Sequence, residues 1–193
     1  SQLIPTTVPL TTNTFFDLAS LTKPLATTSL LALLIERGSL SLEDPVSRFI
    51  PEYRSGDKSG VTLAHLLSHR SGLPDWRPYY EDVIRQDKKN AGFLGSSAAK
   101  EAVYQMARHE PLVATPGTCD RYSDIGFILL AEIIEKTTSV PMDRLCHDEV
   151  FSMLECDIFF QRLGKERAGH FAATEDCPWR GEVVCAKVHD DNA

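Results

Sequence analysis

The sequence predicts a helix-rich chain of the α/β (α+β) class, on three observations. Two long apolar stretches, within Asp17 to Arg37 and from Ile125 to Ile134, have the composition of buried helices. Ser, Thr and Pro residues stand where helices would start, ahead of these and several shorter segments. Strand-like alternation is confined to one short run, Glu182 to Val188.

Taken in order, the Thr- and Pro-rich opening from Ile4 to Thr14 reads as extended. In the stretch that follows, Leu21, Leu25, Leu30, Leu31, Leu33, Leu34 and Ile35 cover more than one helical face, which predicts burial nearly all round. Gly38 is its expected stop. Pro24 belongs in the first turn, where a missing amide hydrogen costs least, so the helix begins near Ser20. Asp44-Pro45 turns into a short helix ending near Ile50, and Tyr53 to Gly60 reads as loop. Thr62 is the expected N-cap of a helix running through His69, ended by Ser71-Gly72-Leu73-Pro74. Trp76 to Gly95 reads as irregular or weakly helical. Ser96 or Ser97 caps a helix to about His109, and Pro116-Gly117 marks a turn. Ser123 or Asp124 then caps the second apolar helix, and Pro141 suits the first turn of another, to about Phe151. Beyond Leu154 the pattern weakens.

The 193 residues are enough to bury a core, and 42% hydrophobic with 24% charged residues is ordinary globular composition. A formal charge of −7 argues against nucleic-acid and anionic-membrane partners, which call for clustered Lys and Arg. No apolar run is long enough for a transmembrane helix, and Ser1 to Leu10 lacks the pattern of a signal peptide. Five cysteines without a pairing pattern do not form a recognisable disulfide framework and lean toward a reducing compartment. No Gly-rich phosphate loop or CxxC pair is present, so nothing calls for a nucleotide or zinc cofactor.

The chemistry-bearing pattern is a serine three residues before a lysine. On a helix these share one face, so a hydroxyl and an amine come within mutual reach. Burial disfavours a charged amine and can make it a base. The head of a helix adds a positive end and backbone amides suited to an oxyanion. Three pairs have this spacing: Ser20 with Lys23, Ser55 with Lys58, and Ser97 with Lys100. Context separates them. Ser55 lies in a Gly- and charge-rich loop where lysine is expected to stay solvated, and Ser97 opens an ordinary amphipathic helix and is explained as a cap. Only Ser20 opens a helix expected to be buried. Tyr122, in the loop between Pro116-Gly117 and the second apolar helix, is a candidate proton relay, and Asp124 is placed to accept from Lys23 or to cap that helix. Tyr80-Glu81-Asp82 repeats the Tyr-x-Asp spacing, but nothing apolar and helical is expected after it.

Four ordered blocks resemble serine hydrolases of the penicillin-binding-protein and class C β-lactamase superfamily. These are Leu18-Ala19-Ser20-Leu21-Thr22-Lys23-Pro24, the stretch Glu36 to Val46, the stretch Thr62 to Pro74, and Pro116-Gly117 leading into Tyr122-Ser123-Asp124-Ile125-Gly126-Phe127. The resemblance implies a β-lactamase/transpeptidase-like fold, with a helical subdomain packed on an antiparallel sheet and this chain supplying mainly the helices. It implies catalysis through an acyl-enzyme on Ser20, with proton work shared by Lys23 and Tyr122, and the Ser20 amide as an oxyanion donor. Many relatives carry Asn where this chain has Asp124; a carboxylate there would hold Lys23 charged and leave Tyr122 the better base. The substrate class implied is a small molecule or peptide: a β-lactam, a D-amino-acid peptide or a simple ester. The alternative is a non-catalytic module on the same fold that binds a cell-wall peptide or a partner. Relatives are often exported to the bacterial cell envelope.

The family's third motif, a Lys-Thr-Gly or similar triplet on a late strand, has no counterpart. Lys58-Ser59-Gly60 has similar letters but stands before Tyr122. The chain is therefore expected to be one β-lactamase-like domain, incomplete at both ends. In it, residues 1–19 form an extended lead-in, 20–154 the nucleophile helix and helical region, and 155–193 a segment leading toward the third motif. His65 and His69 have metal-ligand spacing, but flanking leucines favour packing and no metal site is assigned. Trp76, Trp179 and His189-Asp190-Asp191 are candidates for framing a cleft, with packing and an exposed loop as the plainer expectations.

Overall fold

A computed structural model describes residues 7, 9–161 and 169–192. Residues 4–6 and 8 of the expected extended opening, and 162–168 of the late segment, lie outside the described residues. The rest is mainly helical, as expected for the β-lactamase-like fold. Six α-helices, α1 (Ser29–Glu36), α2 (Leu63–Leu67), α3 (Tyr79–Asp87), α4 (Ser97–His109), α5 (Asp124–Thr138) and α6 (Met142–Glu149), are accompanied by two small sheets. β1 (Thr14–Phe15) pairs in parallel with β2 (His170–Phe171), and β3 (Asp176–Cys177) pairs antiparallel with β4 (Glu182–Val183).

The region around Ser20 is one helical run in three geometries. A 3-10 turn at Ala19–Leu21 leads into a π-helical segment, Lys23–Thr28, and then into α1. Pro24 sits in the first turn of the wide segment. Its carbonyl accepts from Ser29 Oγ at 3.0 Å, a bond across five residues that suits the wider spiral. Gly38, at φ +70°, ends the helix as expected. Burial all round is not found: Leu30, Leu31 and Leu34 are buried, but Leu21 is 56% exposed. The run packs by one face, and its head stands open.

The core centres on α5, whose Ile125, Leu129, Leu130, Ile133 and Ile134 are buried against α2, α4 and the Ser20 run. Ser123 caps α5 by accepting from the Gly126 amide at 3.2 Å, while its hydroxyl donates to Pro74 O at 2.6 Å. Thr62 caps α2 in a reciprocal box with His65, whose Nδ1 accepts from the Thr62 amide at 3.3 Å. Ser96, rather than Ser97, caps α4. Within Trp76 to Gly95, read as irregular or weakly helical, residues Tyr79–Asp87 form a regular helix. Tyr79 and Val83, four apart, are buried, and Glu81 and Asp82 lie in the first turn where the helix dipole favours them.

A pairing of two loops carries Tyr122 to the head of the Ser20 run. The amides of Val113, Gly117 and Arg121 donate to the carbonyls of Gly72, Arg70 and His69, each at 2.8 Å. Gly72 is required there: its φ is +80°, and a Cβ would meet the Ala114 carbonyl oxygen at 2.0 Å. Below this layer, the buried Glu132 carboxylate is held by Arg108 Nε at 2.9 and 3.0 Å and by Lys136 at 2.6 Å. That network ties α4 to α5.

Candidate active site

Ser20, Lys23, Tyr122 and Asp124 come together at the exposed head of the helical run that begins at Ala19. Lys23 Nζ donates to Ser20 Oγ at 3.1 Å, and Tyr122 OH to the same oxygen at 3.0 Å. Lys23 Nζ also meets Asp124 Oδ1 at 2.6 Å and lies 5.0 Å from the centre of the Tyr122 ring. Asp124 opens α5, and its own amide donates to the Asp75 carbonyl at 2.8 Å. The role of cap falls to Ser123, which leaves the Asp124 carboxylate for Lys23.

The ordinary consequence of burial for a lysine is a lower pKa, and burial is the largest influence on Lys23. Hydrogen bonds and charge from Asp124 and Tyr122 together outweigh it, so the Lys23 pKa is raised. At neutral pH Lys23 is an ammonium. The expectation that burial would make this lysine a resting base is therefore not met, whereas the argument that Asp124 holds it charged agrees with the geometry.

The other two Ser-x-x-Lys pairs lie elsewhere. Lys58 is not solvated as expected: its Nζ donates to Arg108 O at 2.6 Å, it packs 4.9 Å from the Tyr53 ring centre, and burial lowers its pKa. Lys100 pairs with Glu135 at 2.8 Å. Ser59, in the Lys58-Ser59-Gly60 triplet, bonds its own turn at Gly56 O. His65 and His69 do not share a helix face, because α2 ends at Leu67 and His69 has φ +59°. Trp179 and Tyr80 stack with centroids 5.0 Å apart, and Trp76 lies 6.5 Å from Tyr80.

His69 is the residue that spacing misses. Its left-handed backbone and its ring both serve the Tyr122 loop. Nδ1 accepts from the Ser123 amide at 3.1 Å, and the ring lies 4.4 Å from that of Tyr122. The only sequence signal is a histidine just before Ser71-Gly72, which reads equally well as packing. Burial, reinforced by the Lys23 charge, lowers the His69 pKa below its ordinary 6.5, against the opposing pull of the Asp124 carboxylate. A histidine with a depressed folded pKa contributes stability that is full above its unfolded value and is lost as pH falls through the folded one. Urea unfolding at about pH 7.5 and about pH 5.5 is expected to show a smaller loss of stability in His69→Asn than in the parent. Equal losses in the two proteins would remove His69 from this account.

A model of the family described as Beta-lactamase matches residues 3–176. The chain is 35% identical over 169 residues to penicillin-binding protein 4* of Bacillus subtilis (strain 168), covering 85% of this chain and 35% of that protein. It is 34% identical over 160 residues to a putative D-alanyl-D-alanine carboxypeptidase of Salmonella heidelberg (strain SL476), covering 80% of this chain and 35% of that one. Among solved structures, the octameric penicillin-binding protein homologue from Pyrococcus abyssi matches with a TM-score of 0.71 at 28% identity, over 92% of this chain and 40% of its own. The chain thus spans 35% of the length of these curated relatives. Among the described residues, no helix is long and apolar enough to cross a membrane.

Proposed function

Because the chain belongs to the Beta-lactamase family, we propose that it works as a serine hydrolase, cleaving an amide or ester through an acyl-enzyme on Ser20. The observation that carries this reading is the convergence of Lys23 and Tyr122 on one serine oxygen, at 3.1 and 3.0 Å. Residues 20–154 would then supply the nucleophile helix and helical region of one β-lactamase-like domain.

The chemistry follows from the charges. Ser20 Oγ attacks the substrate carbonyl carbon. Either hydroxyl of the Ser20–Tyr122 pair can donate, so Tyr122 can take the serine proton while passing its own to the leaving group. Lys23, kept as an ammonium by Asp124, stabilises negative charge on the reacting oxygens throughout. The Ser20 amide, at the head of the helical run, would donate to the oxyanion. Water then attacks the ester, and the same relay runs in reverse. Of the three substrate classes, a peptide ending in D-alanine is favoured by the carboxypeptidase name of one relative and by the penicillin-binding name of another. The relatives lend no support to a non-catalytic binding module.

The test is mass spectrometry with peptide mapping, on the full-length protein containing this chain, after exposure to a fluorophosphonate and separately to a labelled penicillin. A covalent adduct on Ser20 is expected from both. An adduct on another residue, or none on folded protein, overturns the proposal.

A further inference from the structure

We propose that Asp17 is a positioning residue, whose single carboxylate sets the turn that presents Ser20 and ties that turn to the segment 189–192. The inference rests on the reading of Ser20 as nucleophile.

Ala19, immediately before Ser20, has φ +47°, a left-handed conformation that a residue with a Cβ rarely adopts and that costs energy to hold. Asp17 Oδ1 accepts from the Ala19 amide at 2.8 Å, across that turn. The other oxygen, Oδ2, accepts from the His189 amide at 2.7 Å, 172 residues away. Both acceptor oxygens of one side chain are thus engaged, one on each side of the junction.

The segment so tied is itself fixed at its far end. Asn192 Oδ1 accepts from the Tyr80 amide at 3.0 Å, and its Nδ2 donates to Arg77 O at 2.9 Å, at the start of α3. Asp191 accepts from Trp179 Nε1 at 3.0 Å and pairs with Arg180 at 3.0 Å, while His189 Nε2 lies 3.2 Å from Glu175. Two residues before Arg77, the Asp75 carbonyl takes the amide of Asp124. The contacts therefore close a ring around the site. It runs from Ser20 through Asp17, 189–192, α3 and Asp75 to Asp124, and returns by Lys23 and Tyr122. In that ring Asp17 is the link beside the strained turn. Its loss would let Ala19 relax toward negative φ and rotate Ser20 Oγ away from Tyr122.

Three proteins separate positioning from simple scaffolding, each titrated with the fluorophosphonate and with labelled penicillin to resolve the maximal acylation rate from the apparent affinity. Asp17→Ala is expected to lower the maximal rate with both reagents by about tenfold to a hundredfold, since misplacing a reacting atom by about 1 Å costs on that order. Asp17→Asn keeps an oxygen for the Ala19 amide and is expected to recover the fluorophosphonate rate to within about threefold, consistent with one retained hydrogen bond. Asn192→Ala leaves the Asp17–Ala19 bond intact and is expected to weaken affinity for the bulkier penicillin while leaving the maximal fluorophosphonate rate unchanged. Hydrogen exchange should rise in Asp17→Ala both at residues 15–21 and at 186–192, a readout independent of acylation. Unchanged exchange at both segments, or an unchanged maximal rate in Asp17→Ala on a protein still labelled at Ser20, overturns the role of Asp17 and leaves the nucleophile standing. Absence of label on the folded parent overturns both.

Discussion

Replacing Tyr122 with phenylalanine is expected to slow acylation of Ser20 by about a hundredfold to ten-thousandfold, the usual range for a positioned acid–base group. The change removes one oxygen, the one 3.0 Å from Ser20 Oγ. Because Lys23 is held as an ammonium by Asp124, it cannot take over as the proton acceptor without first losing its own proton. The ring itself should stay in place, stacked on His69 and half exposed. Circular dichroism and the unfolding temperature should therefore match the parent, so that a rate loss reports chemistry. The second-order rate constant for label incorporation at Ser20 is the measurement. A loss smaller than about tenfold would mean that Lys23 carries the proton after all.

Replacing Glu132 with alanine is the corresponding prediction for stability. Glu132 is 2% exposed, and Arg108 and Lys136 both close on its carboxylate. Arg108 also donates through Nε, so the carboxylate is held in a fork between α4 and α5. Removing the carboxylate leaves Arg108 with Glu101 alone and Lys136 with the Phe49 carbonyl, so the cost is placed at the low end for a broken buried pair, about 3 kcal/mol. For a chain of this size that corresponds to an unfolding temperature lower by ~10 °C. Thermal unfolding at neutral pH measures it, and a fall of less than about 3 °C would show that the existing pair with Glu101 suffices for Arg108. Labelling of Ser20 well below the transition should be unaffected, since Glu132 belongs to a different layer of the fold.

Much of this architecture can be read from local chemistry. Thr62, Ser123 and Gly38 mark helix ends by their own side chains or lack of one, and each does so in the structure. Pro24 fits only a first turn, which located the head of the helix at Ser20. The meeting of Ser20 with Lys23 follows from helical spacing, while that with Tyr122 needed the four blocks in order. The failures are all matters of distant packing. Composition alone could not say that Leu21 would stand exposed while Leu30 and Leu31 would be covered. Lys58 looked solvated because its loop is polar, but Tyr53 and the carbonyl of Arg108 lie against it in space. α3 reads from sequence as no more than irregular or weakly helical because its mixed charges hide a short apolar stripe of Tyr79 and Val83. The parallel pairing of Thr14–Phe15 with His170–Phe171 has no local mark.

The ring of contacts about Ser20 also has a meaning for folding. Ser20 is joined to Tyr122 across 102 positions of sequence, and Asp17 to His189 across 172. Contacts of such high order form only after long stretches of chain have been brought together, unlike the turns of α4 or α5, which need only near neighbours. Helical content can thus be nearly complete while the serine is still without its partners. Conversely, local opening of the Tyr122 loop or at Asp17 can separate Ser20 from its distant contacts without melting a helix. The arrangement about Ser20 is in this sense a property of the whole native ensemble, and a far stricter witness of it than secondary structure.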